Sequence, residues 1–290
     1  MKPPENITSM NEKEIENLIY QYNNKSEEKF SGLSPFELHE MIHHPFGIKS
    51  PIQIQDNIDS QTLNLIPFFR ICEEFLKIVQ RDNFIKLTPL GALPKKVMVE
   101  LYDYKFITES LIESGVSKLS REQDSIAIQN ARYVCEIAKL VKKRDGKLTL
   151  TKNGEKSLEN RESLFKLILS VFAFDFNWSV NDGYPDEPIA QYGNLYTIYL
   201  LLKYGNVSRE NKFYTEKYLI VFEKFLDLFV DFDYSNPEIQ FSNCYEVRSL
   251  YRFTDWFGLT ITSDKKYGEN NTTKATELLG KIFKYSPQKG

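Results

Sequence analysis

Apolar residues recur every three or four positions along most of the chain, which is the spacing of one face of an α-helix. This spacing predicts helices over residues 12–22, 66–79, 94–102, 120–139, 164–174, 189–204, 213–230, 245–257 and 276–283. Short apolar runs next to turn residues predict strands at 84–87 and 259–262. The pattern therefore predicts a mainly α fold with short β-hairpins.

The clearest hairpin lies in the middle of the chain. Two short strands meet at Asp145-Gly146, a dipeptide typical of tight hairpin turns. A predicted helix leads into the hairpin, and the segment Leu150–Gly154 (Leu-Thr-Lys-Asn-Gly) opens a new helix after it. This order of elements is typical of the wing of a winged-helix unit.

The order helix, strand, Leu-Thr-x-x-Gly, helix occurs twice, at Leu87–Gly91 and at Leu150–Gly154. A recurring order of this kind predicts an internal repeat of small winged-helix-like units. The composition changes from Arg161 onward, where the helices become more apolar. We therefore predict an N-terminal helical arm (1–58), a tandem winged-helix-like region (59–160), and a helical C-terminal domain (161–290) ending in a hairpin and a helix.

Two segments carry helix-start signals. Ser34-Pro35-Phe36-Glu37 has the residues of a capping box with proline at the first helical position, and Pro45 predicts that the helix stops near His43 or His44. Ser120-Arg121-Glu122-Gln123 is read as a second capping box, opening the helix that leads into the hairpin.

Charge and cysteine content narrow the class of protein. The 290 residues include 37 basic and 40 acidic ones, for a net charge of −3, so no global field attracts a polyanion. The three cysteines (Cys72, Cys135 and Cys244) are far apart and are predicted to be reduced and buried. The polar start (residues 1–10) is predicted to be a tail, and no apolar run suits a signal peptide or a membrane span. We expect a cytoplasmic protein with no membrane partner and no cofactor.

The predicted wing is basic against this neutral background. The segment Lys139–Lys156 contains seven basic and two acidic residues. Lys and Arg at a wing tip suit contacts with DNA phosphates, although a solvated hairpin has the same composition. The candidate DNA-binding residues are Lys142, Lys143, Arg144, Lys147 and Lys152. On the preceding segment, outward-facing candidates are Arg121, Gln123, Gln129, Asn130 and Arg132.

The loop Asp175–Pro188 is rich in Asp, Asn, Gly and Pro and contains a Trp and a Tyr. It does not fit a calcium loop, because Val180 stands where that loop needs Gly. Long irregular loops often carry function, yet Asp and Asn also favour turns for purely structural reasons. The candidate functional residues of this loop are Asn177, Trp178, Asp182 and Tyr184.

Residues 39–43 match the zinc-protease pattern His-Glu-x-x-His. On a helix this spacing brings His39 and His43 to one face, with Glu40 placed to activate a bound water. The third ligand is missing from the pattern, since the remaining histidine, His44, directly follows the second. The alternative is a capped structural helix that ends at Pro45.

Several stretches together resemble an uncharacterised family of bacterial cytoplasmic proteins. The family patterns are approximately Gly-Leu-Ser-Pro-x-x-Met-His-x-Leu-Leu-Tyr-x-Pro-Phe and Leu-Thr-x-x-Gly-x-Leu-Pro-Arg-Lys-x-Val. The matching stretches, within residues 32–283, are Gly32-Leu33-Ser34-Pro35, Leu38-His39, Pro45-Phe46, residues 87–97, Phe176-Asn177-Trp178, Asp182-Gly183-Tyr184-Pro185, Gln191, Arg252-Phe253 and Phe257-Gly258-Leu259. The resemblance implies no particular activity. It does imply that Glu40 and His43 stand outside the shared pattern, whereas His39 and Asn177-Trp178 belong to it.

The sequence thus leaves three functional hypotheses. The first is a non-enzymatic binding module that contacts DNA through the basic wing. The second is a protein-interaction or scaffold protein that uses the loop with Asn177 and Trp178. The third is a zinc-dependent hydrolase at residues 39–43.

Overall fold

A computed structural model describes residues 10–180, 182–232, 235–263 and 271–288. Within these residues the fold is mostly helical, with three small antiparallel sheets, as the apolar pattern predicts. Apart from Met10, the predicted tail lies outside the described residues. In the described ranges no helix has both the length and the apolar character needed to cross a bilayer.

The N-terminal part contains three α-helices, one 3₁₀ turn (Glu28–Phe30) and one strand. Ser34 and Glu37 form the predicted capping box, and the helix that it opens ends at His43. The local sequence signals are therefore confirmed here. The elements are α1 (Glu12–Asn24), α2 (Pro35–His43), β1 (Ile52–Ile54) and α3 (Ser60–Asn64).

The middle of the chain holds the predicted hairpin. Asp145 and Gly146 both have positive φ, as a tight hairpin turn requires. The capping box predicted at Ser120 does not open this helix. The Asp124 carboxylate instead accepts from the backbone amides of Ser120 and Arg121, and a separate 3₁₀ turn forms before α7. The elements are α4 (Pro67–Arg81), β2 (Ile85–Lys86), α5 (Lys95–Asp103), α6 (Ser110–Glu113), α7 (Ile126–Ile137), β3 (Val141–Arg144), β4 (Lys147–Leu150), α8 (Lys152–Ser157) and α9 (Arg161–Ser170).

The C-terminal part contains two π-helices, each continuing an α-helix. The first is Val171–Asp175 after α9, and the second is Glu246–Asp255 after α12. Most of the predicted polar stretch after β6 (residues 264–270) lies outside the described residues. The elements are α10 (Asn194–Tyr204), β5 (Arg209–Glu210), α11 (Asn211–Val221), α12 (Pro237–Tyr245), β6 (Thr260–Thr262), β7 (Thr272–Ala275), α13 (Glu277–Ile282) and β8 (Phe283–Tyr285).

Two of the sheets share one topology. The hairpin strands β3 and β4 are joined by β2 in the order β2-β4-β3, and β6 and β7 are joined by β5 in the order β5-β7-β6. In each case the hairpin is preceded in sequence by a helix, the short strand that joins the sheet, and further helices. The third sheet pairs β1 with β8, so that the N-terminal part is hydrogen-bonded to the last strand of the chain.

The two Leu-Thr-x-x-Gly segments have different structures, contrary to the predicted repeat. Their adjoining strands β2 and β4 pair within a single sheet. The first segment is a tight turn in which Gly91 has a φ of +78° and the Thr88 hydroxyl accepts from the Ala92 amide. In the second, Thr151 caps α8 by accepting from the Gly154 amide.

The core is continuous between the middle and the C-terminal part. Phe68 of α4 packs against Phe172 (ring centroids 4.8 Å apart) and stacks on Trp256 (5.6 Å). The helix α7 contacts both α4 and the π-helix Val171–Asp175, so it lies inside the fold. All three cysteines are buried and free, as predicted.

Gly154→Ala is expected to lower the free energy of unfolding by about 1–3 kcal/mol, because a forced overpacking has that cost. A Cβ at Gly154 would lie 2.1 Å from the backbone oxygen of Leu140, and backbone cannot move aside as a side chain can. Gly280 is the matched control, since it is also helical and a Cβ there meets nothing within 4 Å. Urea denaturation should show Gly280→Ala at or above wild-type stability; equal losses for both variants would contradict this account.

Candidate functional site

One face of the sheet β2-β4-β3 carries a row of basic side chains. Lys86 lies opposite Lys147, and Lys147 lies opposite Arg144. Cross-strand partners share a face of a sheet, and so do residues two apart on a strand, which adds Lys142. All four side chains are exposed. We call the surface formed by Lys86, Lys142, Arg144 and Lys147 the basic face.

The positive charge of the basic face is not neutralised by close carboxylates. Among the residues that the structure describes, Lys86, Lys142 and Lys147 form no ion pair. Arg144 lies 3.4 Å from Asp145, but both side chains are about 85% exposed, so water screens the pair. Because directly opposed like charges destabilise a sheet, this arrangement has a folding cost that an anionic partner would relieve.

A groove of about 670 Å³ borders the basic face at Lys142. Its wall includes Thr149 of β4 and the carboxylates Glu155 and Glu159, neither of which comes within 4.0 Å of a Lys142 nitrogen. Acidic charge therefore bounds the basic face on this side. A polyanion would be directed over the hairpin rather than into the groove, since like charges repel.

The structure brings together three of the five predicted DNA-binding residues and separates the other two. Lys143 lies on the opposite side of β3, where its ammonium reaches over Gly91. Lys152 is the first residue of α8, outside the sheet. Lys86 could not be predicted as part of this surface, because the residues of β2 alone do not show that this strand pairs with the hairpin.

The helix before the hairpin, α7, has no exposed face that could contact DNA bases. Of the twelve residues of α7, all of which the structure describes, only Ile137 is exposed. The prediction that Asn130 and Arg132 face outward is wrong, because both are buried. Arg132 instead donates to Glu122 and Glu136 at 2.7 Å each. This helix therefore cannot enter a DNA groove without leaving its place in the core.

The second sheet shows that the topology does not require basic charge. By register, Glu210 opposite Thr272 occupies the place that Lys86 opposite Lys147 occupies in the first sheet. The described strands β6 and β7 are mostly threonine, with Lys274 as their charged residue. Among the strands that the structure describes, the basic face thus belongs to the first hairpin, and the topology does not require it.

The predicted functional loop is held by a buried ion pair. Arg248, from the second π-helix, and Asp182 both have side chains that are 0% exposed, with Nε 2.6 Å from Oδ2. The same guanidinium donates to the carbonyl oxygens of Pro185 and Glu187, at 2.7 and 2.8 Å. Asp182 is therefore a structural anchor for the loop.

The other candidate residues of the loop are also engaged within the fold. The indole nitrogen of buried Trp178 donates to the Phe172 carbonyl oxygen at 2.7 Å, and the Asn177 amide donates to Asp186 at 2.8 Å. The Tyr184 backbone amide donates to Asp182 at 2.9 Å. Hydrogen bonds from Ser179 and Asn177 hold the pKa of Asp186 below its usual range. These contacts fix the shape of the loop.

The histidines form an exposed cluster whose geometry departs from the zinc-hydrolase pattern. The rings of His39 and His43 are 4.5 Å apart, yet the ligand atoms that fall within 4.8 Å of one another come from His39, Glu40 and His44. Among the described residues, no hydrogen bond orients any of the three imidazoles, whereas metal-binding histidines almost always have such a partner. The cluster gives the hydrolase hypothesis no support.

The chain matches no protein-family model, no curated protein and no solved structure. The family resemblance therefore stays a prediction.

Proposed function

We propose that the protein is a non-enzymatic binding module that contacts the phosphate backbone of DNA through the basic face. The observation that carries this proposal is the row Lys86, Lys147 and Arg144 across three adjacent strands, exposed and without effective neutralisation. Lys and Arg side chains provide most of the affinity of proteins for phosphates, independent of sequence.

We also propose that the chain contains two winged-helix-like units, at residues 67–157 and 194–282. This proposal is supported by the shared strand order, in which the strand between the helices pairs with the second strand of the hairpin. In this assignment β3 and β4 form the wing of the first unit. The second unit has the same topology without a basic hairpin in its described strands, and its role is to build the fold.

The expected binding is weak and insensitive to base sequence. Base edges are read by elements that enter a groove, and the buried helix α7 cannot do so. A flat face of four cations reaches phosphates on the outside of a duplex and carries no sequence information. A protein-interaction role for the loop has less support, because the side chains of Asn177 and Trp178 bond within the fold.

The salt dependence of binding tests the proposal. In a fluorescence-anisotropy titration of a labelled duplex, the slope of log K against log salt concentration should be about −3 to −4, the value for about four phosphate contacts. A duplex of scrambled sequence should give the same affinity. No binding at low salt, or an affinity that does not change with salt, would contradict the proposal.

A further inference from the structure

Helix α2 ends in a cluster of possible metal ligands, away from the basic face. A ring nitrogen of His39, a ring nitrogen of His44 and a carboxylate oxygen of Glu40 all lie within 4.8 Å of one another. Both imidazoles are exposed and Glu40 is half-buried, so an ion from solvent can reach all three. Imidazole and carboxylate are groups with which proteins bind divalent transition metals. The cluster therefore has the donor types of such a site.

Helical spacing explains why these three groups converge. Residues 39–44 contain two pairs that are four positions apart, His39 with His43 and Glu40 with His44. Residues four apart lie on the same side of a helix, one turn from each other. The His44 amide still donates to the Glu40 carbonyl oxygen at 2.9 Å, although His44 is the C-cap of α2. The second pair therefore keeps the helical arrangement, with His39 adjacent to it.

The remaining histidine has a different environment. The ring of His43 lies edge-on to the ring of Tyr192, with centroids 6.3 Å apart. His43 is close to His39, at 4.5 Å between ring centroids, but it does not belong to the set of converging ligand atoms. The structure therefore favours His44, and not the second histidine of the zinc-protease pattern, as the partner of His39 and Glu40.

The three ligand groups have no competing partner. Among the residues that the structure describes, the side chains of His39, Glu40 and His44 form no hydrogen bond and no ion pair. An incoming ion therefore breaks no existing contact. Metal-binding histidines use their second nitrogen to bond a protein group or water, and the exposed rings leave water in that role. Because water orients a ring less firmly than a protein group does, we expect moderate affinity.

Small rotations bring the ligand atoms to bonding distance of one ion. Two ligands of a tetrahedral zinc ion lie about 3.4 Å apart, because each bond is about 2.1 Å long. Exposed side chains change rotamer within nanoseconds, so the rings can close this gap. The backbone at His44 is held by the turn that follows, where the Gly47 amide donates to the His44 carbonyl oxygen at 2.9 Å.

We propose that His39, Glu40 and His44 bind a divalent transition-metal ion of the zinc class, with water as the fourth ligand. The site is structural, because Glu40, which activates water in the protease pattern, is here a ligand. The ion links the last turn of α2 to its C-cap. Magnesium takes oxygen ligands and is not expected to bind. This inference does not depend on the nucleic-acid proposal, since the basic face shares no residue with the cluster.

Isothermal titration of the full chain, without an added histidine tag, tests the inference with Zn²⁺ as the ion and Mg²⁺ as the control. We expect one saturable Zn²⁺ site per chain and no binding of Mg²⁺ at the same concentration. The three cysteines are buried, so they do not compete for zinc in the folded protein. No zinc binding at submillimolar concentration, or equal binding of the two ions, overturns the inference.

Substitutions at the two adjacent histidines give the sharpest comparison. His44→Gln removes a proposed ligand, and His43→Gln removes the histidine that only the protease pattern requires; both side chains are exposed, and circular dichroism checks that the fold is kept. His44→Gln should weaken zinc binding at least about tenfold, because even the loss of an outer partner of a ligand typically has that cost. His43→Gln should stay within a few-fold of wild type. A loss in His43→Gln that equals or exceeds the loss in His44→Gln overturns the inference.

Discussion

Replacing Arg248 by Met is expected to lower the free energy of unfolding by about 3–5 kcal/mol, the cost of breaking a buried ion pair by removing one partner. The substitution leaves the Asp182 carboxylate in a site where its side chain is 0% exposed. It also removes the donor that the Pro185 and Glu187 carbonyl oxygens share. The loop from Asn177 to Pro188 then loses its buried ion pair with the second π-helix and keeps only weaker contacts, such as the hydrogen bond from Arg252 to the Val180 carbonyl oxygen.

Urea denaturation measures this effect against a matched surface pair. Lys212 and Glu216 are 73% and 62% exposed, so Lys212→Met should cost no more than about 0.5 kcal/mol. Combining Arg248→Met with Asp182→Leu should recover part of the loss, because no unpaired charge remains buried. Arg248→Met with wild-type stability would show that the ion pair does not hold the loop.

Reversing all four charges of the basic face should weaken DNA binding by on the order of 100-fold at low salt, because phosphate contacts supply nearly all of non-specific affinity. The variant replaces Lys86, Lys142, Arg144 and Lys147 by Glu. All four side chains are exposed and none donates to a buried group, so the fold should be retained. Circular dichroism and the urea midpoint check that retention.

Local signals in the sequence predicted local structure well. The capping residues Ser34 and Glu37 and the turn Asp145-Gly146 behave as their chemistry dictates, because each acts on neighbours within a few residues. The spacing of apolar residues likewise located most helices. It could not distinguish the π-helices from α-helices, because the sequence pattern of the two is nearly the same.

Contacts between residues that are far apart in the sequence could not be predicted from the sequence alone. Lys86 completes the basic face only because β2 pairs with β4, and Arg248 reaches Asp182 across 66 positions of the chain. The repeat of Leu-Thr-x-x-Gly was misleading for a related reason. In one copy threonine and glycine close a turn, and in the other they start a helix, so identical residues serve different structures.

The candidate site was predicted in part. Lys142, Arg144 and Lys147 were identified from local charge alone, since a hairpin turn fixes the register of its own strands. Asn177, Trp178, Asp182 and Tyr184 were identified as a group, but their role in the fold became visible only with their partners.

The most direct test of the central claim compares two variants of equal net charge in the same anisotropy titration. One carries the four Glu substitutions on the basic face, and the other carries Glu at exposed lysines elsewhere, namely Lys13, Lys118, Lys224 and Lys281. We expect the second to bind duplex DNA within a few-fold of wild type and the first to lose binding. Equal loss in both variants, or no binding by wild type at low salt, would contradict the claim that the basic face binds nucleic acid.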